Sequence, residues 1–376
     1  MHHLFWARNG IYHGLAALGV KPGDNVLVPS YHCTSLVEPI LKFGSNAKFY
    51  DINTDLTPNF DDLKKKIDRK TRAILAVHYF GFPQPIRKFR ELCDKHNLYL
   101  IEDCAHILTG STREGIALGE SGDISIFSWR KFLPIYDGGQ MVINNPNLKL
   151  DLALDKGSFL FKLKVAKNTF ERAFEDSRWG RMSGLSFLSK AASSVFKYSA
   201  FVNASAASVQ QVNSYEVEFD LKCVNLEMSA ISKHILNRTL IADVAEKRRR
   251  NYAFLAAAVM SMRGVAPLFP DLRENVCPWT FPFLVRGTKD FQLLLRAKGI
   301  PAASWGGVIH PSLPLQIFPK ARFLYDHLVF LPIHQGMEER DLGMMIRVLG
   351  ETLNESVGVD AKSFDDRVPL PAVSGR

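Results

Sequence analysis

Apolar positions in the first 150 residues alternate between two spacings. Ile11, Leu15 and Leu18 fall at i, i+4 and i+7, one face of a helix that stops at Gly19. Lys21-Pro22-Gly23-Asp24 reads as a turn, and residues 25–28 form an apolar run of the length of a buried strand. The alternation repeats. Residues 61–67 have helical spacing and 73–80 a strand pattern; Ile86, Phe89, Leu92 and Cys93 mark another helix, and 98–102 another strand. Short strands alternating with helices imply right-handed crossovers and a mainly parallel sheet, an α/β fold. Ligands of such sheets bind beyond the carboxyl ends of the strands, so a polar residue just past a strand end is a candidate site residue.

After residue 150 the rhythm changes. Residues 151–224 hold a divergent stretch, followed by a long helical pattern from 227 to about 262. Strands are expected over 279–285 and 328–333, and helices over 291–298 and 338–353. The expected organisation is a large domain over 1–224, with 151–224 as a basic helical insertion. A long helix and a smaller α+β domain follow over 225–355, then a loose tail over 356–376. The run Glu246-Lys247-Arg248-Arg249-Arg250 reads as the solvated face of the long helix.

Composition narrows the class. With 376 residues, 47% hydrophobic and 23% charged, the chain is globular rather than disordered or collagen-like. No apolar run approaches the ~20 residues that span a bilayer. The first residues lack the charged and apolar regions of a secretory signal. The five cysteines are odd in number and contain no C-x-x-C pair, which reads as reduced thiols and a cytoplasmic protein.

The net charge of +9 is unevenly spread. Between Lys156 and Ala200 nine basic residues stand against three acidic ones, a local +6, with aromatics from Phe159 to Phe196 interleaved. Such a stretch suits either a solvated helical excursion, a phosphorylated ligand or the surface of an anionic membrane. No nucleic-acid module accompanies it, so nucleic acid is not an expected partner.

Three places carry candidate chemistry. Ile101-Glu102-Asp103-Cys104-Ala105-His106 ends a strand in an acid, where a simple loop cap is the ordinary role. Phe127-Ser128-Trp129-Arg130-Lys131 places a lysine ahead of Asp137-Gly138-Gly139, a glycine pair that permits a tight backbone turn. Ala7-Arg8-Asn9-Gly10 leads directly into a helix whose first amides can hold an anion. Each is weak alone.

In this order they resemble the DegT/DnrJ/EryC1/StrS family of sugar aminotransferases. The resemblance rests on Gly19 to Asp24 with Pro29-Ser30-Tyr31, Val77-His78-Tyr79-Phe80-Gly81, the acid-to-histidine motif, Gly122-Asp123-Ile124, Phe127-Ser128, Lys131 with Asp137-Gly138-Gly139, Asn225 to Ser229, and Leu331 to His334. It covers most of 7–150 and 225–350 and omits the basic segment. It implies the fold type I architecture and a pyridoxal 5′-phosphate cofactor. It also implies catalysis by Lys131, whose amine would hold the cofactor aldehyde and shuttle a proton. Asp103 would keep the cofactor's ring nitrogen charged. His106 would contact the ring hydroxyl, and His32 would stack on the ring.

The phosphate would lie on the amides of Arg8 and Asn9, with the Ser128 hydroxyl helping and Asn225 reaching over from the other subunit of a homodimer. His310, after Trp305-Gly306-Gly307, would contact a nucleotide-sugar substrate that receives the amino group of glutamate; a plain surface histidine is the alternative. Two departures stand out. Only two residues separate Ser128 from Lys131, where many relatives have four, and the chain begins almost at the phosphate turn, without the N-terminal strand and helix of longer members. Some relatives carry histidine for the lysine and deoxygenate sugars, a branch that Lys131 argues against. A cofactor-binding regulator or assembly partner, or an aminotransferase acting on a non-sugar ketone, are the competing readings.

Overall fold

A computed structural model describes residues 1–176, 219–306 and 308–359. Strand β1 (His2–Leu4) leads into helix α1 (Ala7–Ala17), followed by β2 (Asn25–Pro29), α2 (Thr34–Lys42) and β3 (Asn46–Tyr50). Next come α3 (Phe60–Lys66), β4 (Thr71–Val77), α4 (Ile86–His96), β5 (Tyr99–Cys104), β6 (Ile124–Ser128) and β7 (Gly139–Ile143). These seven strands form one sheet in the order β1-β7-β6-β5-β4-β2-β3. The pairs from β3 through β6 are parallel, whereas β7 and β1 close one edge antiparallel.

Buried on both faces, β2 is apolar or amide along its whole length, and β4 is buried at every position but Arg72. That is the pattern a central parallel strand needs, since helices cover both sides. Helix α3 shows how local chemistry sets the boundaries: Asn59 caps it by accepting from the Asp62 amide at 3.2 Å. Asp61 and Asp62 occupy its first turn and three lysines its last, each favourable to the helix dipole.

Helix α5 (Phe159–Asp176) follows. It exposes Phe159, Leu160, Leu163 and Phe170 beside its lysines. The remainder of the basic segment, from residue 177 on, lies outside the described residues, as does the tail from 360. The long helix expected from 227 is two helices, α6 (Ala230–Arg238) and α7 (Ile241–Met260). They part at Thr239, whose hydroxyl donates to the Ile235 carbonyl at 2.7 Å and replaces a helical bond there.

Three strands, β8 (Val265–Pro267), β9 (Thr280–Val285) and β10 (Leu328–Pro332), make a small antiparallel sheet. Helices α8 (Phe291–Ala297), α9 (Pro319–His327) and α10 (Glu339–Val359) complete this part. Residues of both sheets, from Leu4 and Val28 to Phe281 and Leu331, belong to one buried apolar cluster. Of the run expected to be solvated, Glu246, Lys247 and Arg250 are exposed, whereas Arg248 and Arg249 turn inward. Arg248 is buried and donates to the carbonyls of Trp279 at 2.8 Å and Phe132 at 3.4 Å, and to Gln335 at 3.0 Å. Arg249 binds the Arg273 and Val276 carbonyls.

One glycine brings the two ends of the first sheet edge together. A side chain on Gly139 would collide with the backbone of Trp6 and Ala7, where α1 begins. Gly139→Ala is expected to lower stability by about 1–3 kcal/mol, the usual cost of overpacking. Urea denaturation of the purified variant checks it, and an unchanged midpoint would refute the close approach.

Candidate active site

The carboxyl ends of β2, β4, β5 and β6 face one edge of the sheet, and the order of strands reverses between β2 and β4. Most of the residues that the sequence singles out stand at this edge. Asp103 lies near the end of β5, buried, with one carboxylate oxygen accepting from the Ala105 amide at 2.8 Å. Burial raises its pKa, and the positive charge of Lys131 counters part of that rise.

His106 is buried three residues on. Its Nδ1 accepts from the Phe80 amide at 3.2 Å, so the neutral ring carries its proton on Nε2. The ring stacks on Trp279 with centroids 4.2 Å apart, and burial pushes its pKa well down. A neutral donor aimed from the second ring nitrogen is what a phenolate oxygen would accept from. Beneath these two, Glu102 is pinned by His78 at 2.9 Å and by the amides of Gly119, Ser121 and Gly122. Glu102, His78 and Cys104 also converge closely enough to suit a metal. The carboxylate is already occupied by these four donors, however, and acts as a structural tie.

Lys131 closes the short 3-10 turn Trp129–Lys131 after β6. Its Nζ sits 4.8 Å over the ring of Trp279, whose Nε1 donates to the Lys131 carbonyl at 3.1 Å. Burial lowers the ammonium pKa; Cys33 and Asp103 hold it up, and Arg130 and Arg8 lower it further. Trp279 is absent from the sequence reading except as the first residue of a strand. It reaches the site because its amide donates to the Phe80 carbonyl at 2.7 Å. Gly81 makes the room: φ is +100° there, and a Cβ would lie 2.7 Å from Pro278 Cα.

Behind the lysine, the Asp137 carboxylate is fully buried and accepts from the Ser229 amide at 2.5 Å, from the Ser229 hydroxyl at 2.9 Å and from the Ser232 hydroxyl. It ties the lysine loop to the start of α6.

The phosphate turn differs in detail from expectation. The Asn9 amide donates to the Trp6 carbonyl at 3.1 Å, and its side-chain amide donates to the Cys223 carbonyl at 2.8 Å. Of the two amides expected to face an anion, only that of Arg8 is left, because Asn9 is spent on closing the turn. Ser128 is buried, directly across from Gly139, and its hydroxyl has no partner among the described residues. Asn225 is exposed, with its backbone carbonyl held by the Asp155 amide at 2.8 Å.

The expectation for His32 is corrected. Its ring lies in the core, stacked on Phe49 at 5.3 Å and bonded through Nδ1 to the Pro29 carbonyl at 2.9 Å. Both its backbone amide and its carbonyl hydrogen-bond the Tyr325 hydroxyl, which fixes that inward direction. From the same segment it is Cys33, half-buried, that lies near both Lys131 and Arg8. His310 is buried rather than on the surface. Its nitrogens are taken by Glu38 at 2.9 Å and by Ser312 at 2.7 Å, leaving no ring donor for a substrate.

A lysine, a buried acid and a neutral histidine thus share one strand-end cleft in a fold already implied by the motifs. Residues 7–177 match the DegT/DnrJ/EryC1/StrS aminotransferase family. That stretch is somewhat under half of the chain. A GDP-perosamine synthase of Vibrio cholerae is 39% identical over 142 residues, 37% of this chain and 38% of that protein. A UDP-N-acetyl-3-dehydro-alpha-D-glucosamine 3-aminotransferase of Acidithiobacillus ferrooxidans is 32% identical over 142 residues, again 37% of this chain and 38% of that protein. The chain therefore matches well under half the length of these relatives.

Solved structures align over far more of it. The aminotransferase TlmJ of Streptoalloteichus hindustanus superposes with a TM-score of 0.63 at 18% identity, over 94% of this chain and 86% of that one. PseC of Helicobacter pylori, an aminotransferase of pseudoaminic acid biosynthesis, gives 0.64 at 17%, over 94% and 86%. At such identities the likeness is one of fold, the fold type I architecture, and it takes in the small C-terminal sheet as well.

Proposed function

We propose that this chain is a pyridoxal-phosphate-dependent aminotransferase that moves an amino group, from glutamate, to the keto group of a nucleotide-linked sugar destined for a polysaccharide or secondary metabolite. The observation that carries this reading is the meeting of Lys131, Asp103 and His106 around Trp279. When bound, the cofactor supplies an aldehyde for the amino group and an electron sink for the adjoining carbon.

The residues fit that group. Among the described residues the buried carboxylate of Asp103 has only an amide for a hydrogen-bond partner, and burial favours its pairing with a protonated ring nitrogen. His106 presents its Nε2 proton to the ring hydroxyl. Lys131, its ammonium disfavoured by burial, is placed to take the proton from the donor's Cα. Trp279 covers the lysine amine with its ring. Two relatives, a GDP-perosamine synthase and a UDP-sugar aminotransferase, support a nucleotide-linked acceptor.

A homodimer in the cytoplasm belongs to the same reading, with the exposed Asn225 reaching the partner's phosphate site. So does contact of residues 156–200 with anionic lipid, supported by the apolar and basic faces of α5. Borohydride reduction of the purified protein with added cofactor, followed by peptide mapping, tests the central claim. A label on Lys131, together with loss of the visible absorbance when glutamate is added before reduction, is expected. No label at saturating cofactor would overturn the reading, and a label indifferent to every amino donor would leave a binding protein without turnover.

A further inference from the structure

Two guanidiniums at the candidate site have no ion-pair partner among the described residues. β1, β7 and β6 are in register there, with Leu4 beside Gly139 and Gly139 beside Ser128. Gly138 bridges the two flanking turns: its amide donates to the Phe5 carbonyl at 2.9 Å, and its carbonyl accepts from the Trp129 amide at 2.8 Å. Arg8, just past β1, and Arg130, just past β6, are thereby brought to the same end of the sheet.

Neither guanidinium makes a hydrogen bond or ion pair with a described residue. That of Arg8 lies 4.5 Å over the Trp6 ring, a contact that leaves its N–H edges open. Both side chains are partly buried. Nearby carboxylates are already engaged, Asp137 by Ser229 and Ser232 and Glu38 by His310. Arg172 adds a third guanidinium, donating to the Arg130 carbonyl at 3.4 Å. The cations disfavour one another: burial, then Arg172 and Arg8, bring Arg130 down to about 10. Partly buried guanidiniums without an ion pair among the described residues are costly, so an anion between Arg8 and Arg130 would stabilise the arrangement.

We propose that the side chains of Arg8 and Arg130 bind the phosphate monoester of the cofactor as a two-guanidinium clamp. This rests on the cofactor reading above and gives it a charge-based phosphate site in place of the two-amide one. Guanidiniums suit the task because each offers paired N–H donors matched to phosphate oxygens. The clamp also accounts for two departures in the sequence. The loop between Ser128 and Lys131 is short, and Asn9 has turned its amide inward; Arg130 and Arg8 supply from side chains what the backbone no longer offers.

The test compares pyridoxal phosphate with pyridoxal, which lacks the phosphate, as titrants of the cofactor-free protein. The wild type is measured beside Arg130→Gln and Arg8→Gln. Each variant is expected to bind pyridoxal phosphate on the order of tenfold to a hundredfold more weakly while its affinity for pyridoxal is unchanged. Unchanged pyridoxal binding shows that the site is still folded. A second readout is thermal melting: without ligand, Arg130→Gln should melt no lower than wild type, since a repelled charge is gone, and it should lose most of the rise that inorganic phosphate gives the wild type. Equal weakening for both titrants, or none, overturns the clamp while the cofactor reading stands. Failure of the wild type to bind either titrant, with no label on Lys131, overturns both.

Discussion

Lys131→Ala is expected to abolish borohydride labelling at saturating cofactor and to lower amino-transfer rate by at least ~10⁴-fold. Two losses combine in that figure. The amine that holds the aldehyde disappears, and with it the base whose Nζ takes the substrate proton, a role worth about 10²–10⁴-fold by itself. Alanine is tolerated structurally, because the Lys131 backbone carbonyl still accepts from Trp279 and the side chain makes only a ring contact there. Stability should therefore stay within about 1 kcal/mol of wild type. Mass spectrometry of the reduced protein and stopped-flow measurement of the donor half-reaction check the two halves separately. Near-normal turnover in the variant would remove Lys131 from the chemistry.

Asp137→Ala should have the largest effect on stability, on the order of 3–5 kcal/mol. The carboxylate is fully buried and serves three donors, two hydroxyls and one amide, at the start of α6. Alanine leaves those donors buried without an acceptor and frees the lysine loop from α6 in the same stroke. A calorimetric scan reads the drop, and the phosphate-independent binding of pyridoxal should weaken with it, since Lys131 loses its fixed position. Asp137→Asn is expected to recover part of the loss through its remaining acceptor oxygen. Full stability in Asp137→Ala would mean that α6 is held to the loop by packing alone.

These two residues lie six positions apart, and only one was given a role from the sequence. The role expected of Lys131 comes from the family resemblance, which matches it through a local pattern, its spacing to the glycine pair. Asp137 stands in the same pattern, but its partners are in the segment from 229 to 232, which no periodicity connects to it. The positions of Asp103, His106 and Ser128, though not their roles, follow from local pattern: each stands at or just past the apolar run of a strand, and strand ends in a parallel sheet face one edge.

His32 and Cys33 show the limit of that logic. Adjacent residues past the end of β2 point in different directions, and the Tyr325 hydroxyl, nearly three hundred residues away, decides which one goes inward. Trp279 and Arg248 belong to the same class, reaching the cleft through backbone contacts with Phe80 and Phe132.

By itself, then, the order of apolar and polar positions determined the alternation of helices and strands and the parallel sheet. It also placed the loops in which a lysine, an acid and a histidine would stand. These depend on spacing along the chain, and spacing is a local property. Only the tertiary structure decided which side chains meet in the cleft, which polar atoms are spent on holding the turn, and which guanidiniums remain without a carboxylate. Those outcomes depend on burial and on distances between segments far apart in sequence, where desolvation makes each unpaired charge or donor count.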